Sequence, residues 1–287
     1  MSVSIESRLN QLESAVLAAA EYQIRMLASG CDLAVQLKSD SSLVTTLDLE
    51  SQKIIRDSLG SQLDTVGEED VASHKLLEQS DQYFVIDPLD GTTACKRFTN
   101  IRGGQVGFGP VIGYVQSGKL LAASFYNVPQ RTLISAIRGA GCFLISMPSP
   151  QAQFLPELTN RTRVIFGESV PLKGSAILFH SATGEELSLV SNLMKNKIVE
   201  TAYRFGGFAN DCQRLACGYE QLQIQYTVKA WDFSATLFES EAGLEVLCDP
   251  LGRADSYADW KVKLMNPIIT AAPAVMPEVK QWLSRSR

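Results

Sequence analysis

Apolar residues at Ile5, Leu9, Leu12, Val16, Ala20, Ile24 and Leu27 recur at intervals of mostly three and four, which places them on one face of a long helix. Gly30 follows where a helix C-terminus favours glycine. A second helix is predicted over about 47–59, where Leu47, Ile54, Ile55 and Leu59 share a face and Gly60 ends it. The pattern then changes. The run Tyr83-Phe84-Val85-Ile86 is aromatic and β-branched and is stopped by Asp87-Pro88, because proline cannot donate to a sheet ladder; it predicts a buried strand ending in a turn. Further strands are predicted at roughly 105–115, 119–127 and 131–138, separated by Gly118 and Pro129 as in an antiparallel meander, and the segment 138–144 closes this half.

Residues 147–157, MPSPQAQFLPE, carry three prolines and no strong periodicity, which places a boundary between a first half, 1–146, and a second, 147–287. Beyond it, strand candidates at 163–167, 175–179, 222–227 and 245–248 alternate with helical segments near 185–197, 208–217 and 232–242. The first half therefore reads as α+β and the second as α/β, with no internal repeat. A length of 287 residues suits one large or two small domains.

Composition narrows the chemistry. With 26 basic and 31 acidic residues the formal charge is −5, so nothing suggests a surface for nucleic acid. The start of the chain lacks the basic and continuous apolar regions of a signal peptide. No run approaches the ~20 apolar residues that cross a bilayer, the best candidate being the short, glycine-rich segment 106–115, so no membrane span is expected. Six cysteines are scattered without a C-x-x-C pair and read as buried free thiols in a reducing, cytoplasmic setting. The two histidines, His74 and His180, leave few partners for a zinc site or a Ser-His-Asp mechanism, so carboxylates are the expected reactive groups.

The most informative segment is VIDPLDGTTA, residues 85–94. Asp87 and Asp90 stand three apart at the end of the buried strand, where a turn can aim both carboxylates at one point. Gly91 permits close backbone approach, and the amides after it, if they open a helix, form a site for a phosphate oxygen. Glu68 and Glu69 lie upstream, where a hairpin-like return brings a glutamate beside the two aspartates; Asp232 stands before an amphipathic segment. Each signal also has a plainer role, as turn residues, a solvated acidic loop and a helix cap. Taken together they pose a physical problem, because carboxylates about 4 Å apart repel by ~4 kcal/mol per pair at an effective dielectric near 20. Four cannot share a pocket without cations. Hard oxygen ligands suit Mg²⁺ or Mn²⁺, and two such ions activate water and neutralise a phosphoryl group, which makes phosphate ester hydrolysis the natural reaction class.

These residues resemble the inositol monophosphatase superfamily of Mg²⁺-dependent, often lithium-sensitive phosphatases. Its three signatures appear in order: G-E-E as Gly67-Glu68-Glu69, D-P-[IL]-D-G-T as Asp87-Pro88-Leu89-Asp90-Gly91-Thr92, and W-D-x-x-A with E-A-G as Trp231-Asp232, Ala235 and Glu241-Ala242-Gly243. The resemblance runs from the first helix to the C-terminal segment NPIITAAP. It implies a layered αβαβα sandwich, with an antiparallel sheet in the first half, a smaller mixed sheet in the second, and the metals at their junction. It also implies that Glu68, Asp87 and the carbonyl of Leu89 bind one ion, that Asp87, Asp90 and Asp232 bind a second, and that Glu68 touches a third, weaker one. Asp48 matches the aspartate that pairs with the motif threonine, here Thr92, to orient the attacking water, and Gly91 and Thr92 receive the phosphate. Arg204 and Gln225 correspond to substrate-contacting positions, and Lys38 to a basic residue of the early hairpin. Gly206, Gly207 and Lys229 look like the histidinol-phosphatase branch.

The implied partner is a small phosphorylated metabolite, with inositol monophosphate the default and 3′-phosphoadenosine 5′-phosphate, histidinol phosphate and fructose bisphosphate the alternatives. The resemblance also implies a homodimer. A non-catalytic metal-binding protein of the same fold is the alternative from another class.

Overall fold

The computed structural model describes residues 3–30, 35–37, 43–100, 106–150, 155–167, 175–179, 184–203, 205–226, 228–247 and 268–285. Helix α1 (Ile5–Ala28) starts on Ser4, whose hydroxyl accepts the Ser7 N–H, and α2 (Thr46–Leu59) starts on Thr45. Gly30 and Gly60 follow their ends with φ of +67° and +72°, a conformation that costs glycine little. Both helices lie as the apolar spacing predicts. A two-stranded antiparallel hairpin, β1 (Val35–Leu37) and β2 (Leu43–Thr45), joins them.

A seven-stranded sheet follows. Its strands are β3 (Asp64–Gly67), β4 (Gln82–Asp90), β5 (Gly109–Gln116), β6 (Lys119–Asn127), β7 (Thr132–Ile137), β8 (Gly141–Ser146) and β9 (Thr162–Val164), in sequential order. Six of them come from the first half and one, β9, from beyond the predicted boundary at 146/147. All neighbours are antiparallel except β3 and β4, which run parallel. The meander is the predicted one. The short helices α3 (Leu76–Gln79) and α4 (Thr92–Asn100) flank β4.

Strand alternation sends side chains to two different cores. Phe84, Ile86, Ile112 and Tyr126 pack with Leu9, Leu12, Val16 and Leu47 of α1 and α2, whereas Val85, Val111, Val115 and Phe125 face the opposite side. That side is covered by α6 (Phe208–Ala216) and α7 (Thr236–Ala242), through Cys212, Leu237 and Phe238. The five-stranded second sheet has the order β11-β10-β12-β14-β13 and is mixed. It comprises β10 (Ala176–Phe179), β11 (Thr201–Tyr203), β12 (Leu222–Gln225), β13 (Glu245–Leu247) and β14 (Ile268–Ala271). α5 (Gly184–Lys195) and α8 (Met276–Arg285) pack on it through Val190, Leu193, Val279 and Trp282. The result is an α-β-α-β-α sandwich, as the resemblance implies. Among the described residues no helix is long and apolar enough to cross a membrane. Cys95, Cys142 and Cys212 are buried free thiols and Cys217 is a partly buried one; Cys31, Cys248 and His180 lie outside the described residues.

The layer between the sheets holds a carboxyl with a pH signature. Glu239 of α7 is fully buried, and Thr270 of β14 donates to its Oε2 at 2.9 Å. Burial, with a smaller contribution from the Asp211 charge, pushes the carboxyl up to about 8 from an ordinary value near 4.5. The folded state therefore holds this proton more tightly than the unfolded chain. The stability it confers is complete below about pH 4.5 and is lost as pH rises toward about 8. Glu239→Gln preserves the acceptor for Thr270 and removes the ionisation. The urea midpoint is expected to fall between pH 5.5 and 8.5 in the parent chain and to fall much less in this variant.

Candidate active site

The two aspartates of the DPLD turn owe their placement to a proline that cannot join a ladder. β4 pairs with β5 up to Asp87 opposite Val111, loses register, and resumes with Asp90 opposite Gly109. The strand thus continues past the predicted stop at Asp87-Pro88. The missing Pro88 N–H is absorbed by the irregularity, and the Leu89 N–H turns to Asp87 Oδ1 at 2.9 Å. Gln23 of α1 fixes the outside of this turn: its buried side-chain amide donates to the Pro88 carbonyl at 2.7 Å and to Ser51 Oγ of α2 at 3.0 Å.

Glu68 reaches the aspartates by a different route from the predicted hairpin-like return. β3 pairs parallel to β4 with Gly67 opposite Ile86, and the Glu68 N–H donates to the Ile86 carbonyl at 3.0 Å, so Glu68 emerges beside Asp87. Parallel neighbours need a crossover, and residues 68–81 supply it. The acidic loop is built rather than loose. Gln52 Oε1 accepts the Glu69 N–H at 3.0 Å, Ser73 Oγ accepts the Gly67 N–H at 3.1 Å, and Arg56 pairs with Asp70 at 2.6 Å. A Cβ on Gly67 would collide with the Gln52 amide, so a side chain there would displace the group that holds the Glu69 N–H.

Asp90 is held by the second half of the chain. Its Oδ1 accepts the Phe208 N–H and its Oδ2 the Ala209 N–H, both at 2.8 Å, so the carboxylate caps the N-terminus of the nine-residue α6, where the helix dipole favours a negative charge. Two glycines make room. A Cβ on Gly207 would fall on the Asp90 carboxylate, and Gly91, at φ +86°, has the Gly207 amide nitrogen 2.9 Å from where its own Cβ would stand.

Asp232 opens the short 3₁₀ turn that precedes α7, and its Oδ2 accepts the Lys229 N–H at 3.2 Å. One oxygen each of Asp87, Asp90 and Asp232 lies within 4.8 Å of the others. Burial first, and then the charges of Glu68, Asp90 and Asp232, hold the Asp87 carboxyl well above its ordinary range. Such a group is a poor resident of a buried pocket unless cations accompany it. The donor set is entirely oxygen, which fits a hard divalent ion. The two N–H groups on Asp90 leave it further lone pairs for such an ion.

Beside this cluster, Thr92 Oγ1 donates to Asp48 Oδ1 at 2.9 Å and lies 3.2 Å from the Leu89 carbonyl oxygen. Asp48 also closes a capping box: its Oδ2 accepts the Thr45 N–H at 2.7 Å and the Thr45 hydroxyl at 2.5 Å. Burial raises the Asp48 carboxyl against these hydrogen bonds.

The structure thus brings Asp48, Glu68, Asp87, Leu89, Asp90, Gly91, Thr92, Gly207 and Asp232 to one place. Gln225 ends β12, fully buried, and no described hydrogen bond joins it to the carboxylates; its Nε2 finds no partner among the described residues. Arg204 and Lys38 lie outside the described residues. Sequence reasoning did not single out Gln23, Thr45 or the α6 amides. Only Thr45 carried a local signal, a T-x-x-D capping pattern reading into an apolar helix face.

Known proteins resemble this chain over nearly its whole length. The sequence model of the inositol monophosphatase family matches residues 7–272. The chain is 25% identical to the Nus factor SuhB of Pasteurella multocida over 280 residues, covering 94% of this chain and 95% of that protein. It is 26% identical to the inositol-1-monophosphatase of Mesorhizobium japonicum over 279 residues, covering 96% and 97%. Among solved structures, the extragenic suppressor protein suhB of Bartonella henselae superposes with a TM-score of 0.75 at 23% identity, covering 96% of this chain and 97% of that one. An IMPase/NADP phosphatase complexed with NADP and Ca²⁺ superposes with a TM-score of 0.74 at 19% identity, covering 98% and 96%. A staphylococcal inositol monophosphatase-1 solved as a LiCl-soaked inhibitory complex gives the same TM-score, identity and coverage.

Proposed function

Because the chain belongs to the inositol monophosphatase family, we propose that it hydrolyses a small phosphate monoester with the help of divalent cations, Mg²⁺ or Mn²⁺, held by its clustered carboxylates. The observation that carries this reading is the convergence of Asp87, Asp90 and Asp232 on one point, with the Asp48–Thr92 pair alongside. Glu68, Asp87 and the Leu89 carbonyl are assigned to one ion, Asp87, Asp90 and Asp232 to a second, and Glu68 to a weaker third. Bound there, such ions supply the positive charge that a phosphoryl group in transfer requires, and they acidify water.

The chain's own groups do the positioning. The Thr92 hydroxyl spends its single proton on Asp48, so its lone pairs are left to accept a hydrogen from the attacking water and hold it in line. The Asp48 carboxylate, made more basic by burial, is the group to which that proton passes through Thr92. Gly91 and Thr92, where α4 begins, offer backbone amides to a phosphate oxygen. Gly207, buried against the Asp90 carboxylate where α6 begins, is assigned to the substrate, and Arg204 and Gln225 to the leaving group.

Inositol monophosphate is the default substrate. The rivals are 3′-phosphoadenosine 5′-phosphate, histidinol phosphate and fructose bisphosphate, and the similarity to an NADP phosphatase adds NADP. Phosphate release from this panel, with Mg²⁺, with EDTA, and with Mg²⁺ plus lithium, tests the reading. Release from at least one substrate with Mg²⁺ and none in EDTA is expected, and the ranking of kcat/KM names the leaving group. A second reading, a non-catalytic metal-binding protein, is favoured by the likeness to a Nus factor. A folded sample that binds Mg²⁺ and releases phosphate from none of the panel would make it the better account. A cytoplasmic homodimer completes the proposal, and sedimentation showing only monomer at micromolar concentration would contradict the dimer.

A further inference from the structure

Glu68 stands outside the tight group formed by Asp87, Asp90 and Asp232, and a cation of the chain itself faces it. Lys229 Nζ lies 3.5 Å from Glu68 Oε1, and both side chains are mostly buried, at 24% and 15% exposure. The lysine is not a loose surface arm. Its Nζ sits over the Trp231 ring, 5.5 Å from the centroid, where the indole face attracts an ammonium. Trp231 in turn stacks on His74 at 4.9 Å, and His74 Nε2 lies 3.0 Å from the carbonyl oxygen of Gly67, the residue before Glu68. The backbone N–H of the same lysine donates to Asp232 Oδ2. Lys229 is therefore fastened to the acidic site at two points, its main chain to an aspartate of the second half and its ammonium to the glutamate of the first.

We infer that Lys229 is a counter-ion built into the site: its ammonium holds Glu68 when no divalent ion does, and it competes with that ion for the carboxylate. The inference rests on the reading that these carboxylates hold divalent cations. Two consequences follow from charge alone. Filling the Glu68 position requires the ammonium to yield a carboxylate it already pairs with, so this position needs a higher metal concentration than the Asp87, Asp90 and Asp232 position. The ammonium also spares Glu68 the full repulsion of its acidic neighbours while metal is absent. Lys229 acts through Glu68 and is a positioning residue.

The test is direct metal binding without substrate. Metal-stripped protein is titrated with Mn²⁺ by calorimetry in the parent chain, in Lys229→Met, which keeps an apolar stem on Trp231, and in Lys229→Arg, which keeps the charge. The weaker class of sites is expected to tighten by about tenfold in Lys229→Met, the tighter class to change by less than about threefold, and Lys229→Arg to match the parent. A weaker class that is unchanged or further weakened in Lys229→Met, or an arginine variant that behaves like the methionine one, overturns the inference and leaves the metal reading standing. No Mn²⁺ binding by the parent chain overturns both. Circular dichroism establishes that each variant is folded, and Lys229→Gln provides the same comparison if the methionine variant is not.

Discussion

Asp87→Asn is expected to lower phosphate release by at least about 10²-fold and, at the same time, to stabilise the metal-free protein. The loss follows from position. Asp87 is the carboxylate assigned to both principal ions, and removing one preorganised electrostatic group from an active site commonly costs 10²–10³-fold. The gain follows from the same crowding. Burial and three neighbouring carboxylates hold Asp87 well above its ordinary range, so the metal-free fold carries it at a cost that a neutral amide does not incur. In EDTA the variant should melt a few degrees above the parent chain. Added Mg²⁺ should raise the melting temperature of the parent by mass action and leave the variant almost unmoved. Asp90→Asn makes an instructive contrast. Asp90 accepts two α6 amides, and an asparagine has one carbonyl oxygen for them, so that variant should lose activity and stability together. Thermal melts of both variants, with EDTA and with Mg²⁺, check these expectations.

The largest effect on stability is expected far from the carboxylates. Arg161, in the segment leading into β9, forms a two-pronged pair with Glu13 of α1; the Nη2 to Oε2 distance is 2.9 Å, and its Nε donates to the Pro156 carbonyl at 3.0 Å. The side chains are 3% and 0% exposed. Arg161→Met leaves an uncompensated carboxylate inside the fold, and breaking a buried pair in this way costs about 3–5 kcal/mol. A double variant, Glu13→Leu with Arg161→Met, removes both charges and should recover most of that loss. Urea midpoints of the two single variants and the double one decide it. Additive losses in the double variant would show that packing, and not charge, holds α1 to this segment.

How far the sequence went depended on whether the signal was local. The ends of α1 and α2 were legible because an apolar face stops at a glycine, and both glycines adopt the positive φ such ends require. The meander was legible from turn residues between β-branched runs. The extent of β4 was not, because a proline reads as a stop and only tertiary pairing with Gly109 shows the strand resuming at Asp90. β3 was not predicted, and the return that brings Glu68 to Asp87 was expected to be hairpin-like; nothing in four residues states whether a strand returns as a hairpin or by a crossover. β11 was not anticipated; its strand character comes from parallel pairing with β10, a tertiary neighbour that local pattern does not show. Residues 232–242 read as one helix and divide into a 3₁₀ turn and α7, because the turn positions Asp232 before the regular helix begins.

In the site, residue types in a motif were legible and their anchors were not. Asp87, Asp90 and Asp232 could be named from spacing and resemblance. The Gln23 amide on Pro88, the α6 amides on Asp90 and the Lys229 ammonium on Glu68 join residues between 65 and 161 positions apart. Local pattern carries no information over such separations. Glu241 shows the same limit from the other side. It belongs to a family signature, yet here its two carboxylate oxygens accept the Gly139 and Gly141 N–H groups and seat the β7–β8 turn on the end of α7.

Phosphate release by one wild-type preparation, assayed after metal removal with EDTA and again after Mg²⁺ is restored, tests the central claim most directly. Release should be absent from the stripped protein and return with Mg²⁺. Undiminished release from protein shown to be free of divalent metal would contradict the assignment of these carboxylates to cations, and with it the proposed reaction.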